Sequence, residues 1–192
     1  MEKNLVTVYA EMTPNPQAMK FVLDIYLCDT PIEYSSAQQA EENLLAKKLF
    51  EFEGIKNVFI VSNFITLTKE GNQDWYELLT PIREAIRNYF LYNDALVLTG
   101  IPVKPVSEPE VIIPSTELES KIKSVLEEYV RPAVEQDGGA IDFKSYKDGK
   151  VTLLMRGSCS GCPSSSVTLK GGIENLFKKM LPEVTEVVAE EA

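Results

Sequence analysis

The sequence predicts two small α+β domains joined by a proline-rich tether, and three observations lead there. Strand-like and helix-like runs both occur in the first hundred residues, enough for a compact domain of mixed class. Pro102, Pro105, Pro109 and Pro114 then recur every few residues, which favours extended, semi-rigid backbone and supports neither a helix nor a central strand. After that stretch the elements resume in the order helix, strand, strand, cysteine turn, helix, strand. The expected boundaries are 1–100, 101–115 and 116–192.

Within the first domain, residues 5–10 read as a strand. A turn rich in Pro14, Asn15 and Pro16 separates it from a second strand over residues 19–27, and the two are expected to pair. Cys28 follows a β-branched and aromatic run, where a lone cysteine behaves as a small buried hydrophobe. Ser36 with Gln39 forms a capping-box pattern, and Leu45, Leu49 and Phe52 follow at helical spacing, predicting a helix over 37–52 that stops at Gly54. Residues 57–61 and 64–68 flank a Ser62-Asn63 connection and read as a hairpin. Asp74 with Glu77 caps a further helix carrying Leu78, Leu79, Ile82, Ile86, Tyr89 and Phe90 on one stripe. Pro81 either kinks that helix or marks its true start. Trp75 reads as a core residue.

Val111-Ile112-Ile113 in the tether is apolar enough to lie against one of the domains. Beyond it, Thr116 with Glu119 caps a helix whose apolar positions are Leu118, Ile122, Val125, Leu126, Tyr129, Val130, Ala133 and Val134. Pro132 is expected to bend it and Asp137-Gly138-Gly139 to end it. Residues 141–146 and 151–155 form a hairpin through Lys147-Asp148-Gly149-Lys150. The last helix is expected over 163–180, burying Leu169, Ile173, Leu176, Phe177 and Met180, before a short strand at 184–188 and an acidic tail. Gly171-Gly172 in that helix costs roughly 1 kcal/mol per glycine relative to alanine. Close packing against the sheet is the expected reason, with close approach of a second protomer as the alternative.

Composition removes several functions. The net charge is -10, and without a basic stripe neither nucleic acid nor an anionic membrane is an expected partner. No apolar run approaches the roughly 18 to 20 residues of a membrane helix. Met1-Glu2-Lys3-Asn4 has neither the apolar core of a secretory signal nor the character of a transit peptide, so a cytoplasmic location is expected. The chain has 3 cysteines and 0 histidines, which removes histidine bases, Ser-His-Asp and Cys-His sites, and histidine-containing zinc sites.

Soft-metal or redox chemistry therefore rests on Cys159 and Cys162 in Gly157-Ser158-Cys159-Ser160-Gly161-Cys162-Pro163. The pair lies between a strand and an expected helix starting at Pro163, where unpaired amides and the helix dipole favour thiolate. Two intervening residues let both sulfurs face one way, to chelate a metal centre or to pair with each other. A thioredoxin-like redox domain needs more chain after the pair than the 30 residues that follow Cys162. Zinc and iron–sulfur sites alike need four ligands, so either implies a dimer pooling two turns. Spacing alone leaves these open. A thiol-disulfide oxidoreductase or redox sensor, or a zinc-stabilised dimerisation module, is the alternative to a cluster site.

The segments Tyr129 to Gly139, Gly157 to Lys170, Gly172-Ile173-Glu174 and Pro182-Glu183-Val184 closely resemble the C-terminal domain of NifU-like (Nfu-type) iron–sulfur cluster scaffold and carrier proteins. The resemblance covers about residues 116 to 190. Thr13-Pro14-Asn15-Pro16 with Met19-Lys20-Phe21 resembles the Nfu N-terminal domain. The C-terminal resemblance implies that Cys159 and Cys162 are the cofactor-binding and metal-ligating residues of a labile cluster shared between two protomers, 4Fe-4S with 2Fe-2S as the alternative. A homodimer when loaded, a cluster-donor scaffold and apo iron–sulfur acceptor proteins are the implied partners. Ser158, Ser160 and the amides around Gly161 are expected to donate hydrogen bonds to cluster sulfides. Ala140 departs from relatives that carry aspartate there. The desulfurase-facing and ferredoxin-like domains of full-length NifU are missing, which favours storage and transfer over assembly. No residue acts as a general acid or base, so no enzyme is expected.

Overall fold

The computed structural model describes residues 5–93, 117–162 and 169–191. The expected tether at 101–115 with Val111-Ile112-Ile113, the cap at Thr116 and the helix start at Pro163 lie outside the described residues. The chain divides into two compact units, Met1–Pro102 and Val103–Ala192, each mixed in class.

In the first unit β1 (Val8–Met12) and β2 (Ala18–Leu23) pair antiparallel, from Val8 opposite Leu23 to Met12 opposite Met19. The first strand thus begins three residues later than the periodicity suggests. A strand that the sequence reading missed, β3 (Cys28–Tyr34), forms one edge of a five-stranded sheet that also holds β4 (Ile55–Ser62) and β5 (Phe64–Lys69), in the order β1-β2-β5-β4-β3. Asp29 and Pro31 argue against a strand by propensity. An edge accepts them because proline lacks a ladder donor only where none is needed, and the β3–β4 register shifts between Cys28 and Ile32. The hairpin of β4 (Ile55–Ser62) and β5 (Phe64–Lys69) turns through Ser62-Asn63, with Val61 opposite Phe64.

Two helices complete this unit. The expected helix over 37–52 shrinks to α1 (Leu44–Leu49), because Asn43 rather than Ser36 caps it, accepting from the Ala46 amide at 3.0 Å. Ser36 and Gln39 instead order a preceding turn, in which the Ser35 amide donates to Gln39 Oε1 at 2.9 Å. Helix α2 (Trp75–Tyr92) starts at Trp75, capped by Asp74, and runs through Pro81. The core joins Phe21, Leu23, Ile60, Leu67, Ile82 and Ile86, all buried. Trp75 packs against it half-buried, its indole N–H donating to the Pro16 carbonyl at 3.2 Å.

In the second unit the first helix is α3 (Glu117–Val125), a π-helical turn (Leu126–Val130) and α4 (Arg131–Gln136). The widened turn sits one residue before Pro132, whose ring and missing N–H disturb the regular i to i−4 pattern on its N-terminal side. Then β6 (Gly139–Lys147) and β7 (Lys150–Gly157) pair antiparallel. Their turn is Asp148-Gly149, at φ 50° and 81°, the double left-handed turn that matches strand twist. After α5 (Lys170–Met180) the chain returns as β8 (Glu186–Glu191), parallel to β7 from Lys150 opposite Glu186 to Met155 opposite Glu191. The expected acidic tail is thus part of a strand.

This sheet, ordered β6-β7-β8, packs Ile141, Val151, Leu153 and Val187 against Ile122, Val130, Ile173 and Phe177. Two expectations for α5 fail. Met180 is exposed, lying beyond the turn that faces the sheet. At Gly171 and Gly172 an added Cβ meets nothing within 4 Å, so close packing against the sheet does not explain them.

Candidate functional site

One end of the second sheet collects three stretches far apart in sequence. Because β8 runs parallel to β7 and β6 antiparallel to it, the exit of β7, the start of β6 and the end of β8 meet there. Gly157, opposite Gly139, leaves β7 at φ 62° and enters the turn that holds both cysteines.

Successive amides of that turn are each engaged. The Ser158 amide donates to the Gly138 carbonyl at 3.2 Å, that of Cys159 to Arg156 at 3.4 Å and that of Ser160 to Gly157 at 3.2 Å. The Gly161 amide donates to Glu191 Oε1 at 3.1 Å. The Ser158 hydroxyl, expected to serve a bound cluster, donates to the Asp137 carbonyl at 2.6 Å. Ser158 thus pins the turn to the Asp137-Gly138 corner. It cannot keep that bond and serve a cargo sulfide as well.

The thiols are less open than a surface turn suggests. Cys159 is 7% exposed and Cys162 5% exposed, and Cys159 belongs to the apolar core of its unit. Its seat depends on a missing side chain: a Cβ at Gly139 would lie 2.6 Å from Cys159 Sγ and 2.9 Å from the Arg156 carbonyl. None of the three cysteines is in a disulfide. Among the described residues no group of three or more cysteine, aspartate or glutamate side chains could hold a metal ion.

A charged network backs the turn. Arg156 Nε donates to Asp142 Oδ2 at 3.0 Å, and Asp142 also faces Arg131 at 3.8 Å. Arg131 in turn makes a two-pronged pair with Glu127 at 2.6 Å. That hydrogen bond, helped by the charges of Glu127, Asp142 and Glu135 and opposed by burial, raises the guanidinium pKa above its ordinary value. These bonds hold β6, β7 and the helical segment together beside the cysteines.

Cys28 is separate from all this. It is buried in the first unit, with its thiol against the Ile60 carbonyl at 3.7 Å, and burial, helped by Asp29, pushes its pKa up to about 11. A thiol so held is protonated at neutral pH and is neither ligand nor nucleophile. In native protein at pH 8, iodoacetamide should therefore leave Cys28 unmodified, as read by peptide mass spectrometry. Rapid labelling of Cys28 in the folded state contradicts its burial.

Sequence reading missed two members of the site. Gly139 was legible only as part of a helix stop, and Glu191 only as one residue of an acidic tail.

Comparison with known proteins bears on both units. Residues 8–93 match the family model described as "Scaffold protein Nfu/NifU N terminal", and residues 122–188 match "NifU-like domain". A "NifU-like protein" of Schizosaccharomyces pombe is 32% identical over 95% of this chain and 72% of its own length. The "NFU1 iron-sulfur cluster scaffold homolog, mitochondrial" of Drosophila grimshawi is 37% identical over 94% of this chain and 60% of its own. That of Drosophila persimilis is 35% identical, over 96% and 65%. The chain spans less than two thirds of these Drosophila relatives.

They also overturn the expected cytoplasmic location, since they are described as mitochondrial. A compartment is addressed by a leader that contributes nothing to the folded core. The composition of folded domains is therefore no guide to it. Among the described residues no helix is long and apolar enough to cross a membrane.

Proposed function

Because the chain belongs to the Nfu/NifU-like family, we propose that it carries an iron–sulfur cluster as cargo, holding it through Cys159 and Cys162 and passing it to apo-proteins. One observation carries this reading. Two thiols share a single turn at the exit of β7, inside the segment that matches the NifU-like domain. Thiolates are the ligands that iron–sulfur clusters take, and a chain with 0 histidines offers no competing nitrogen set.

The number of ligands then sets the assembly. A cluster of the 4Fe-4S type takes four thiolates and each turn brings two, so two chains share one cluster. Support for a second chain comes from α5, where, among the described residues and apart from the helix's own backbone, the Cβ positions of Gly171 and Gly172 meet nothing within 4 Å. The role is that of a scaffold and carrier and not of a catalyst: an acceptor's thiolates replace the carrier's one at a time. A cluster-donor scaffold upstream and apo iron–sulfur acceptors downstream are the partners of such a protein.

Anaerobic reconstitution with iron and sulfide should give thiolate-to-iron charge-transfer absorption in the visible. Light scattering of the loaded protein should give a dimer, with one cluster per two chains. A loaded monomer in the absence of added low-molecular-weight thiol contradicts the shared site. Loading with zinc but never with iron and sulfide contradicts the cluster itself.

A further inference from the structure

We propose that Glu191 is a positioning residue of the cysteine turn, an internal carboxylate that tethers the turn through the Gly161 amide and loosens its grip on an anionic cargo. This inference rests on the cluster-carrier reading for its second half only.

Of four consecutive amides in the turn, those of Ser158, Cys159 and Ser160 donate to backbone carbonyls, and that of Gly161 donates to a side chain. Gly161 lies between the two cysteines, at φ 68° and exposed, and a Cβ there meets nothing within 4 Å. Among the described residues, Glu191 is the acceptor that this amide meets. Pairing of β8 with β7 sets Glu191 opposite Met155 at the site's end of the sheet. The neighbouring Glu190 pairs with Lys144 at 2.6 Å and anchors the strand end.

Two consequences follow from this geometry. An amide between two metal-bound thiolates is a natural donor to sulfur, and such bonds tune the stability of a thiolate-bound centre. Glu191 occupies that donor, so loading must exchange a carboxylate for a sulfur acceptor. A flexible side chain makes that exchange without breaking the strand ladder. The carboxylate also sets a negative charge beside thiolates and a cluster that are themselves anionic, which favours release. A carrier needs a hold of that kind, firm enough to load and weak enough to deliver.

Glu191→Gln keeps an acceptor but removes the charge, and Glu191→Ala removes both. In the apo-protein, amide exchange at Gly161 should quicken about tenfold in Glu191→Ala, the scale of a hydrogen bond to a charged group, and less in Glu191→Gln. Loss of cluster to an iron chelator should slow several-fold in both variants. Unchanged exchange at Gly161 in Glu191→Ala overturns the tether. Unchanged or faster cluster loss in Glu191→Gln overturns the electrostatic role. If wild-type protein takes up no cluster, the carrier reading and the electrostatic role fail together, while the exchange measurement still decides the tether. Circular dichroism of each variant checks that the exposed strand end has been altered without loss of fold.

Discussion

Cys159→Ser and Cys162→Ser should each abolish cluster loading, with iron and acid-labile sulfide falling to background after anaerobic reconstitution. If two chains share one cluster as proposed, each substitution removes two of its four thiolates at once. The two variants should differ in stability. Cys159 lies in the core with Ile141, Met155 and Phe177, so a hydroxyl there is buried in apolar surroundings at a cost of about 1–3 kcal/mol unless it finds a partner. Although it lies on a turn, Cys159 is thus also part of the core. Cys159→Ala separates the effects, since it removes the ligand without burying a hydroxyl. Cys28→Ser is the control, and cluster content comparable to wild type is expected. Equal loss of cluster in the Cys28 variant would sink the two-ligand assignment.

Gly139→Ala should impair loading out of proportion to its effect on stability. The new methyl would lie 2.9 Å from the Arg156 carbonyl, which is fixed in the β6–β7 ladder, and 2.6 Å from Cys159 Sγ, which is not. Moving the thiol relieves the shorter contact, while relief of the other needs a shift of the β6–β7 backbone itself. Overpacking of this kind costs typically about 1–3 kcal/mol, which a small domain with stability of roughly 5–15 kcal/mol survives. On the proposed reading, displacing the Cys159 sulfur disturbs the ligand set that holds the cluster. Thermal melting of the apo-protein, alkylation rates of Cys159 and cluster content together test the point. A variant that melts near wild type and loads normally rules out Gly139 as the seat of the Cys159 thiol.

Much of the fold was legible because its signals are local. Asp148-Gly149 announces a two-residue turn by its chemistry, and the β6–β7 hairpin forms around it. The stripe from Leu78 to Phe90 announces α2, with Asp74 as its cap. Failures came where local preference and tertiary context disagree. Residues 28–34 look unlike a strand, yet the edge of a sheet accepts Asp29 and Pro31. Ser36 and Gln39 look like a cap, yet Asn43 holds the position from which the helix packs Leu45 and Leu49 inward.

For the site, the sequence by itself determined the donor chemistry. Two thiols with two residues between them at a strand exit, and no histidine anywhere, leave soft-metal or redox chemistry to thiolates whatever the fold. Only the tertiary structure decided how those thiols are held. Gly139 stands beneath Cys159 because β6 and β7 bring Gly139 and Gly157 opposite each other. Glu191 reaches Gly161, with which it shares no local periodicity, because β8 returns parallel to β7 and ends at the same edge of the sheet. Strand pairing across a helical crossover is a non-local choice, made by burial of Val151, Leu153 and Val187 together. Spacing along the chain encodes which side chains share a face of one element, and not which element ends beside which.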